Sequence, residues 1–547
     1  MIALRLDNIT FSYPGGPGLE NLSWAIEEKA KIGLVGPNGT GKSTILQLLG
    51  GRLTPDNGLV ITAKGVTVGY LPQDITFAAG HTVLAEALTA SPQLAAIEVE
   101  LQHIEIALST PAVYENEPVL TQTLERQSRL LAAYEEAGGL KYENTVKAML
   151  RRLGFNDKDF TLSTAVLSGG QKKLLALAKL AVNQPAALLL DEPDNHLDLA
   201  GKAHLEKFIR SYPGAVVIVS HDRYLLDEIA DSMVELAGGK LNFYNGNYSA
   251  YITEKELRRL RQAQMYAAQQ KEVARLEAAI ARFELWASLV VNERHIKQAR
   301  NKRRQLERME RVDKPAEQKS MALQLNGWRG SDKVLEIVDL VKAFDEALIL
   351  AGVDLLVWHG ERVGLIGPNG AGKSVLFRCI TGADLPTAGV IKIGPGVKMG
   401  VYTQEHQNLA HQETLLETVR KTKPMYEDEA VAFLGKFLFS YEQVKRQTVG
   451  SLSGGERSRL QIALLMLQQP NFLLLDEPTN NLDIQSAEVL EQALDEFKGT
   501  VLVISHDRYF LDKVVDRLVE LEPGRGTLAE YLGGYTDYLA VRSALSD

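Results

Sequence analysis

The sequence predicts an α/β fold built twice over. A long antiparallel helical hairpin joins the two copies, and a helical arm is inserted in the first. Three observations carry this prediction. A set of short motifs occurs twice, in the same order and at fixed register. Each copy runs from a strand-like stretch through a glycine-rich loop into a helix-like stretch. Between the copies lies a charged segment whose composition resembles neither.

The repeat sets the domain plan. Gly36-Pro37-Asn38-Gly39-Thr40-Gly41-Lys42-Ser43-Thr44 returns as Gly367-Pro368-Asn369-Gly370-Ala371-Gly372-Lys373-Ser374-Val375, an offset of 331, and Gln73 pairs with Gln404 at the same offset. Leu167-Ser168-Gly169-Gly170-Gln171 pairs with Leu452-Ser453-Gly454-Gly455-Glu456 at an offset of 285. That second offset also relates Asp191-Glu192-Pro193 to Asp476-Glu477-Pro478, and Ser220-His221-Asp222-Arg223 to Ser505-His506-Asp507-Arg508. The first half therefore holds 46 extra residues, which fall near Ser91 to Ala137. They read as two helices around a turn from Thr110-Pro111 to Glu117-Pro118. With 8 Glu and 2 Arg from 90 to 138, this arm is acidic; the plainer reading is a surface insertion without a role. The expected division is 1–249 for the first domain with its arm at about 90–140, 250–330 for the helical linker, and 331–547 for the second domain.

The glycine-rich loops carry phosphate chemistry. Lys31-Ile32-Gly33-Leu34-Val35 and Arg362-Val363-Gly364-Leu365-Ile366 read as the strands before them, and helix-like runs begin at Ile45 and Leu376. That context makes Gly-x-x-x-x-Gly-Lys-Ser a P-loop, whose inward N–H groups and helix N-terminus hold anions. Lys42 and Lys373 would reach the β- and γ-phosphates, and Ser43 and Ser374 would ligate Mg²⁺. Two continuous apolar runs, Ala186–Leu190 and Phe472–Leu475, end in Asp191 and Asp476, as buried parallel strands with a carboxylate at the ligand-binding end. Those carboxylates suit Mg²⁺. Glu192 and Glu477 follow directly and would polarise an attacking water. A buried Asp-Glu doublet without a cation is costly, so structure alone explains it poorly.

Composition bounds the remaining classes. A length of 547 residues suggests about three to four domains. Hydrophobic content of 45% and charged content of 24% are ordinary for globular protein. No apolar run reaches the roughly 18 residues of a membrane span, and Met1 to Asp7 has no signal-peptide layout. A single cysteine, Cys379, excludes an intrachain disulfide and fits a reducing compartment; beside Ile380 it reads as a buried small hydrophobe. Net charge is −9, yet residues 254–314 carry 16 Lys/Arg against 9 Asp/Glu, which leaves −16 on the rest.

That cationic segment is rich in Ala, Glu, Lys, Arg, Gln and Leu, with no Pro before Pro315. Val273, Leu276, Ile280 and Phe283, then Ile296, Ala299, Leu306 and Met309, recur at helical spacing. The first helix is expected over 250–285, roughly 54 Å long, and a Trp286-bearing apolar turn is expected before the second. The positive excess sits in the second helix, as Arg294, Lys297, Arg300, Lys302, Arg303, Arg304, Arg308 and Arg311 against two Glu. Such a helix should track nucleic-acid phosphates, with Trp286 stacking on a base or capping the hairpin. The plain alternative is a passive spacer.

Taken together, these motifs resemble the ATP-binding cassette ATPases over nearly all of both halves. The resemblance implies that the halves pair head to tail within one chain. One ATP would lie between Gly36–Thr44 and Ser453-Gly454-Gly455, the other between Gly367–Val375 and Ser168-Gly169-Gly170. It also implies that His221 and His506 contact the γ-phosphate, that Gln73 and Gln404 join the nucleotide and metal, and that Tyr13 and Phe344 stack on adenine. Asp-Glu-Pro-Asp/Thr-Asn-His/Asn-Leu-Asp, the charged linker and the arm are similar to the ABC-F subfamily. That likeness implies a cytoplasmic, monomeric factor that binds the ribosome at the exit-tRNA site in an ATP-closed state. The linker would reach peptidyl-tRNA, rRNA and the peptidyl-transferase centre, the arm would touch the stalk, and hydrolysis would drive release. Translation restart, throttling and antibiotic resistance all use these parts. Tyr244, Gly246, Tyr248 and Tyr251 close the first half as Tyr531, Gly533, Tyr535 and Tyr538 close the second. The sequence ends soon afterwards, without the C-terminal coiled coil of some members.

Three positions depart from the pattern. Asp194 stands where Thr479 stands in the second half, and like charge near Glu192 should raise its pKa and make the sites unequal. Val375 replaces a hydroxyl residue, and Glu456 replaces Gln. Two other classes compete. A tandem ATP-binding subunit of a membrane importer would have a short linker instead of a 64-residue basic hairpin over 251–314. A DNA-repair ATPase would bring far longer coiled coils or zinc cysteines.

Overall fold

The computed structural model describes residues 1–547 except 13–17, 78–79, 137, 290–292, 310–327, 329, 345–346, 404–408, 481, 523–526 and 547. Two compact units result, one of residues 1–243 with 320–547 and one of residues 244–319. Tyr13, Gln404 and Arg311 lie outside the described residues.

Each half builds a six-stranded sheet from the apolar runs. In the first half the strand order is Val68–Leu71, Ala187–Asp191, Ala215–Val219, Lys31–Val35, Ser232–Ala237 and Lys240–Asn245. Strands Lys31–Val35, Ala187–Asp191 and Ala215–Val219 are buried at every residue, as central parallel strands covered on both faces should be. The second half repeats the order with Met399–Tyr402, Phe472–Asp476, Thr500–Ile504, Arg362–Ile366, Arg517–Leu521 and Leu528–Leu532. All its contacts are parallel except the last. This order has a direct consequence. The P-loop, the Asp-Glu doublet and the Ser-His-Asp motif leave the carboxyl ends of three adjacent parallel strands, so stretches over 180 residues apart meet on one sheet edge.

A three-stranded antiparallel sheet lies beside each core: Leu19–Glu27, Ile2–Phe11 and Asn57–Thr62 in the first half, and Ala347–Trp358, Lys333–Phe344 and Ala388–Ile393 in the second. Its inward residues, such as Leu4, Leu6 and Trp24, pack with Ile45, Leu46 and Leu49 of the helix that follows the P-loop. Cys379 is buried in the matching cluster of the second half.

The arm consists of helices Pro92–Leu108 and Glu117–Glu136 with one helical turn, Pro111–Tyr114, between them. Ser91 caps the first through its hydroxyl, with Pro at the start of the helix. Arg126 reaches back to Glu100 at 3.0 Å, and the described residues of the second helix are all at least partly exposed.

The unit of residues 244–319 is a helical pair. Its first helix, Tyr248–Leu289, is 42 residues long, about 63 Å at the helical rise. It begins in a knot of Tyr244, Tyr248 and Tyr251, with ring centroids 4.9 and 5.8 Å apart. The expected turn around Trp286 is thus corrected: the helix continues through it. Arg282 lies over the rings of both Phe283 and Trp286, at 5.7 and 5.6 Å, and these contacts support the last turns. The rest of the predicted turn, 290–292, lies outside the described residues. The second helix, Glu293–Glu307, runs antiparallel to the first. Leu276, Ile280 and Ala299 are buried, and Arg303 pairs with Glu284 at 2.5 Å. Arg294, Lys297, Arg300, Arg303, Arg304 and Arg308 are exposed, whereas Lys302 is half-buried.

The two halves meet through reciprocal ion pairs at the 285 register. Arg223 pairs with Glu491 and lies 3.6 Å from Asp507, while Arg508 pairs with Glu206 and lies 3.4 Å from Asp222. Each guanidinium also covers an opposing ring, Arg223 over Tyr509 at 4.8 Å and Arg508 over Tyr224 at 4.1 Å. Both arginines are almost fully buried. Losing one partner of such a pair costs ~3–5 kcal/mol, because it leaves an uncompensated buried charge.

Candidate active site

One cavity of about 1440 Å³ runs between the halves, and most residues singled out for the nucleotide sites line it. The first P-loop contributes Asn38, Gly39, Gly41, Lys42, Ser43 and Thr44, and the second contributes Asn369, Gly370, Gly372, Lys373, Ser374 and Val375. Ser168 and Gly169 come from one signature, and Ser453, Gly454 and Gly455 from the other. Gln73, Phe344, Glu192, His221, Asp476, Glu477 and His506 complete the match. Gly36, Gly367, Gly170 and Asp191 are not among the lining residues. Gly170 is a glycine for a steric reason: a Cβ would stand 2.4 Å from the His196 carbonyl oxygen.

Local sequence shapes each piece. Gly41 and Gly372 start the helices after the P-loops at φ of 103° and 100°, in the left-handed region, where a Cβ would also press on Leu19 or Ile349. Lys42 donates to the carbonyls of Gly36 and Pro37 at 2.8 and 3.0 Å, and Lys373 to Gly367 and Pro368 at 2.7 and 2.9 Å. Each ammonium is thus held inside its own loop, next to the P-loop amides. Burial pushes both lysines down, against opposing carboxylates. Ser168 and Ser453 each cap a helix in a reciprocal box with Gln171 and Glu456, so the N-termini of Gly169–Val182 and Gly454–Gln468 open onto the cavity.

The acidic doublets sit deeper. The Ser43 hydroxyl meets Asp191 at 3.2 Å. Glu192 and Glu477 adopt left-handed φ of 47° and 49°, unusual for Glu. Their N–H groups bond to Val219 and Ile504 at 2.8 and 2.9 Å, which fixes each doublet to the adjacent strand end. Glu192 accepts from Gln73 at 2.8 Å and Asn195 at 2.5 Å. Burial, then Asp194 and Asp191, push Glu192 up to about 7. Burial, then Asp476, push Glu477 up to about 8. The expectation that like charge from Asp194 raises Glu192 agrees with this shift. Like charge does act on Glu192, but burial leads in both and Glu477 is the less exposed, its side chain 7% exposed against 15%.

His221 and His506 place Nε2 3.6 and 3.7 Å from Glu192 and Glu477. Burial, then the P-loop lysines, lowers both, His221 to about 4, so the rings are neutral near pH 7. Neither ring nitrogen of His221 has a protein hydrogen bond, nor does Nδ1 of His506. Buried imidazole nitrogens left this way on a cavity wall suit a ligand that brings its own partner atoms.

Hard oxygen donors fit a small divalent cation. Asp191 beside Ser43 is pushed up by burial, against Ser43 and Lys42, and a cation there would offset the burial of negative charge. Few protein oxygens supplemented by phosphate and water are typical of Mg²⁺. Phe344 is 41% exposed at the cavity edge, with Lys342 over its ring at 4.6 Å.

Sequence reading missed the residues that stitch one half to the other. Asn369 donates its backbone N–H to Asp198 at 3.1 Å and its amide to the His196 carbonyl at 3.0 Å. Asp198 also caps its own helix through Gly201, and Asp483 caps through Ser486. The signal was present, because Asp198 and Asp483 obey the 285 register. Lys173 and Lys202 gave no such signal, since Ser458 and Ala487 occupy the matching positions.

Comparison with known proteins agrees with this geometry. The ABC transporter family model matches residues 19–195 and 350–480, and a second ABC transporter model matches 234–325. The chain is 38% identical over 98% of its length to the ATP-binding protein YdiF of Bacillus subtilis, covering 82% of that protein. It is 34% identical to ABC transporter F family member 2 of Arabidopsis thaliana, over 98% of this chain and 77% of that one. It is also 34% identical to the energy-dependent translational throttle protein EttA of Escherichia coli K12, over 95% of this chain and 92% of that one. Two cassettes in one chain, a shared cavity and these relatives together place this ATPase in the ABC-F family of ATP-binding cassette proteins.

Proposed function

We propose that this ATPase is a cytoplasmic ribosome factor that binds near the exit-tRNA site with its cassettes closed on ATP and leaves after hydrolysis. The observation that carries the reading is the single cavity lined by both P-loops and both signature helices, since a nucleotide there touches both halves at once. In each centre the P-loop amides and Lys42 or Lys373 hold the phosphates, and the opposing signature N-terminus adds positive potential. Glu192 or Glu477 orients and polarises the attacking water, and the neutral His221 or His506 donates a hydrogen bond to the γ-phosphate. Ser43 or Ser374 with Asp191 or Asp476 and with Gln73 or Gln404 would hold Mg²⁺, which would supply positive charge to offset that on the phosphates. Tyr13 and Phe344 stack on adenine.

The hairpin is the covalent link between the halves. The exposed cations of its second helix suit RNA phosphates, and Trp286 near the end of the first suits a base of tRNA or rRNA. The acidic arm suits a basic ribosomal protein at the stalk. The name of EttA, a translational throttle protein, supports translation as the setting.

The test is a Glu192→Gln/Glu477→Gln protein, which traps the ATP-closed state. It should cosediment with ribosomes in ATP and not in ADP. Cosedimentation with membranes, or with neither, would sink the reading.

A further inference from the structure

The first half holds buried charges that the second lacks. At the 285 register, Lys173, Asp194 and Lys202 face Ser458, Thr479 and Ala487. All three charged residues are buried. Lys202 crosses the interface: its Nζ donates to the His506 carbonyl at 2.8 Å and pairs with Asp222 at 2.8 Å. Asp194 lies close enough to hold Lys202 charged together with Asp222, against burial, and its Oδ1 has no hydrogen-bond partner. On its other side Asp194 acts on Lys173, whose Nζ donates to the Glu192 carbonyl at 2.6 Å. A run of charge thus connects the Glu192 turn of one centre to the His506 loop of the other. Among the described residues no counterpart runs the opposite way, because Ala487 has nothing to donate to the loop at His221.

We propose that Lys202 is a positioning residue for the second hydrolytic centre, acting in trans by holding the His506 loop against Glu477, and that it makes the two ATP sites kinetically unequal. The geometry around His506 gives the reason. Its N–H donates to Glu477 at 3.2 Å while its ring stands 3.7 Å from the same carboxylate. The Lys202 bond fixes the carbonyl of that residue, so N–H, ring and carbonyl are restrained together. No hydrogen bond of this kind joins the His221 N–H to Glu192 among the described residues. A buried lysine is expensive unless paired, and neutralising Asp194 and Asp222 would be a sufficient structural task for it. The cross-interface bond goes beyond that task, because neutralisation needs no contact with the opposite half.

The inference rests on the assignment of Glu477 and His506 to the second centre. The experiment isolates each centre with a Gln substitution and measures steady-state ATPase activity. With Glu192→Gln present, so that only the second centre turns over, Lys202→Ala should lower kcat ~10-fold, the loss of one hydrogen bond from a charged donor. KM for ATP should stay within about two-fold, and Lys202→Arg should restore most of kcat. With Glu477→Gln present, Lys202→Ala should lower kcat of the first centre clearly less, about two-fold, through its contacts with Asp222 and Asp194. An equal loss in both backgrounds, or no loss in the first, overturns the proposal. If Lys202→Ala alone fails to fold, Lys202→Ala/Asp194→Thr, which copies the second half and removes opposite charges together, is read by the same criteria. Residual activity in Glu192→Gln/Glu477→Gln would instead refute the assignment of the glutamates, and with it the role of Lys202 at Glu477.

Discussion

Glu192 is expected to destabilise the nucleotide-free protein, and the cost can be read from pH. The perturbation is Glu192→Gln, which keeps the shape of the side chain and removes its titration. In the folded chain burial, then Asp194 and Asp191, raise the carboxyl from 4.5 to about 7. The sign follows from proton binding. Between pH 4.5 and 7 the unfolded chain has lost this proton while the folded chain keeps it, so stability falls as pH rises through that window. At ~1.4 kcal/mol per unit, the shift amounts to at most ~3 kcal/mol once pH exceeds 7. The variant should match the parent near pH 5 and exceed it near pH 8, by as much as roughly 6–12 °C in Tm for a domain of this size. The assay is thermal unfolding of both proteins at the two pH values, with chelator and without nucleotide. A parent that is as stable as the variant at pH 8, or a difference of equal size at both pH values, would refute the reasoning. A stabilising substitution at the residue proposed to polarise water would be the trade of stability for activity found where charge is buried for chemistry.

Two further outcomes test other links. Arg508→Met strands Glu206 at the interface between the halves, leaves Asp222 to Lys202, and should cost ~3 kcal/mol. A double-mutant cycle with Glu206→Leu, followed by ATPase activity and thermal unfolding, should recover part of that loss, and strict additivity would show that the pair does not couple. Changing Arg300, Arg303 and Arg304 to Glu should weaken ribosome binding and flatten its salt dependence by ~2 in log–log slope if those side chains meet single-stranded phosphates. An unchanged slope would return the second linker helix to the role of spacer.

Much of the site was legible because nucleotide chemistry uses contiguous motifs. Lys42 with Ser43, Asp191 with Glu192, and Ser168 with Gly169 are each local in sequence, and their twofold occurrence fixed both the fold class and the pairing of motifs. The linker was legible as helix from composition. Its bounds were not, because the cation–π contacts of Arg282 with Phe283 and Trp286 carry the helix through residues that read as a turn. Asp198 was half legible: its register was visible, but its contact with Asn369 was not.

What the sequence determined by itself was therefore the chemistry of each half: strands that must be buried, loops that must hold phosphate, and carboxylates at the strand ends. Tertiary structure alone decided three things. Strand order brought motifs over 180 residues apart to one edge. Burial, ahead of like charge from Asp194 and Asp191 at Glu192 and from Asp476 at Glu477, set how far each of these carboxyls is shifted. Lys202 reached the His506 carbonyl across 304 residues. Each depends on distances between segments that covalent order leaves free, and the packing of buried strands and helices settles them.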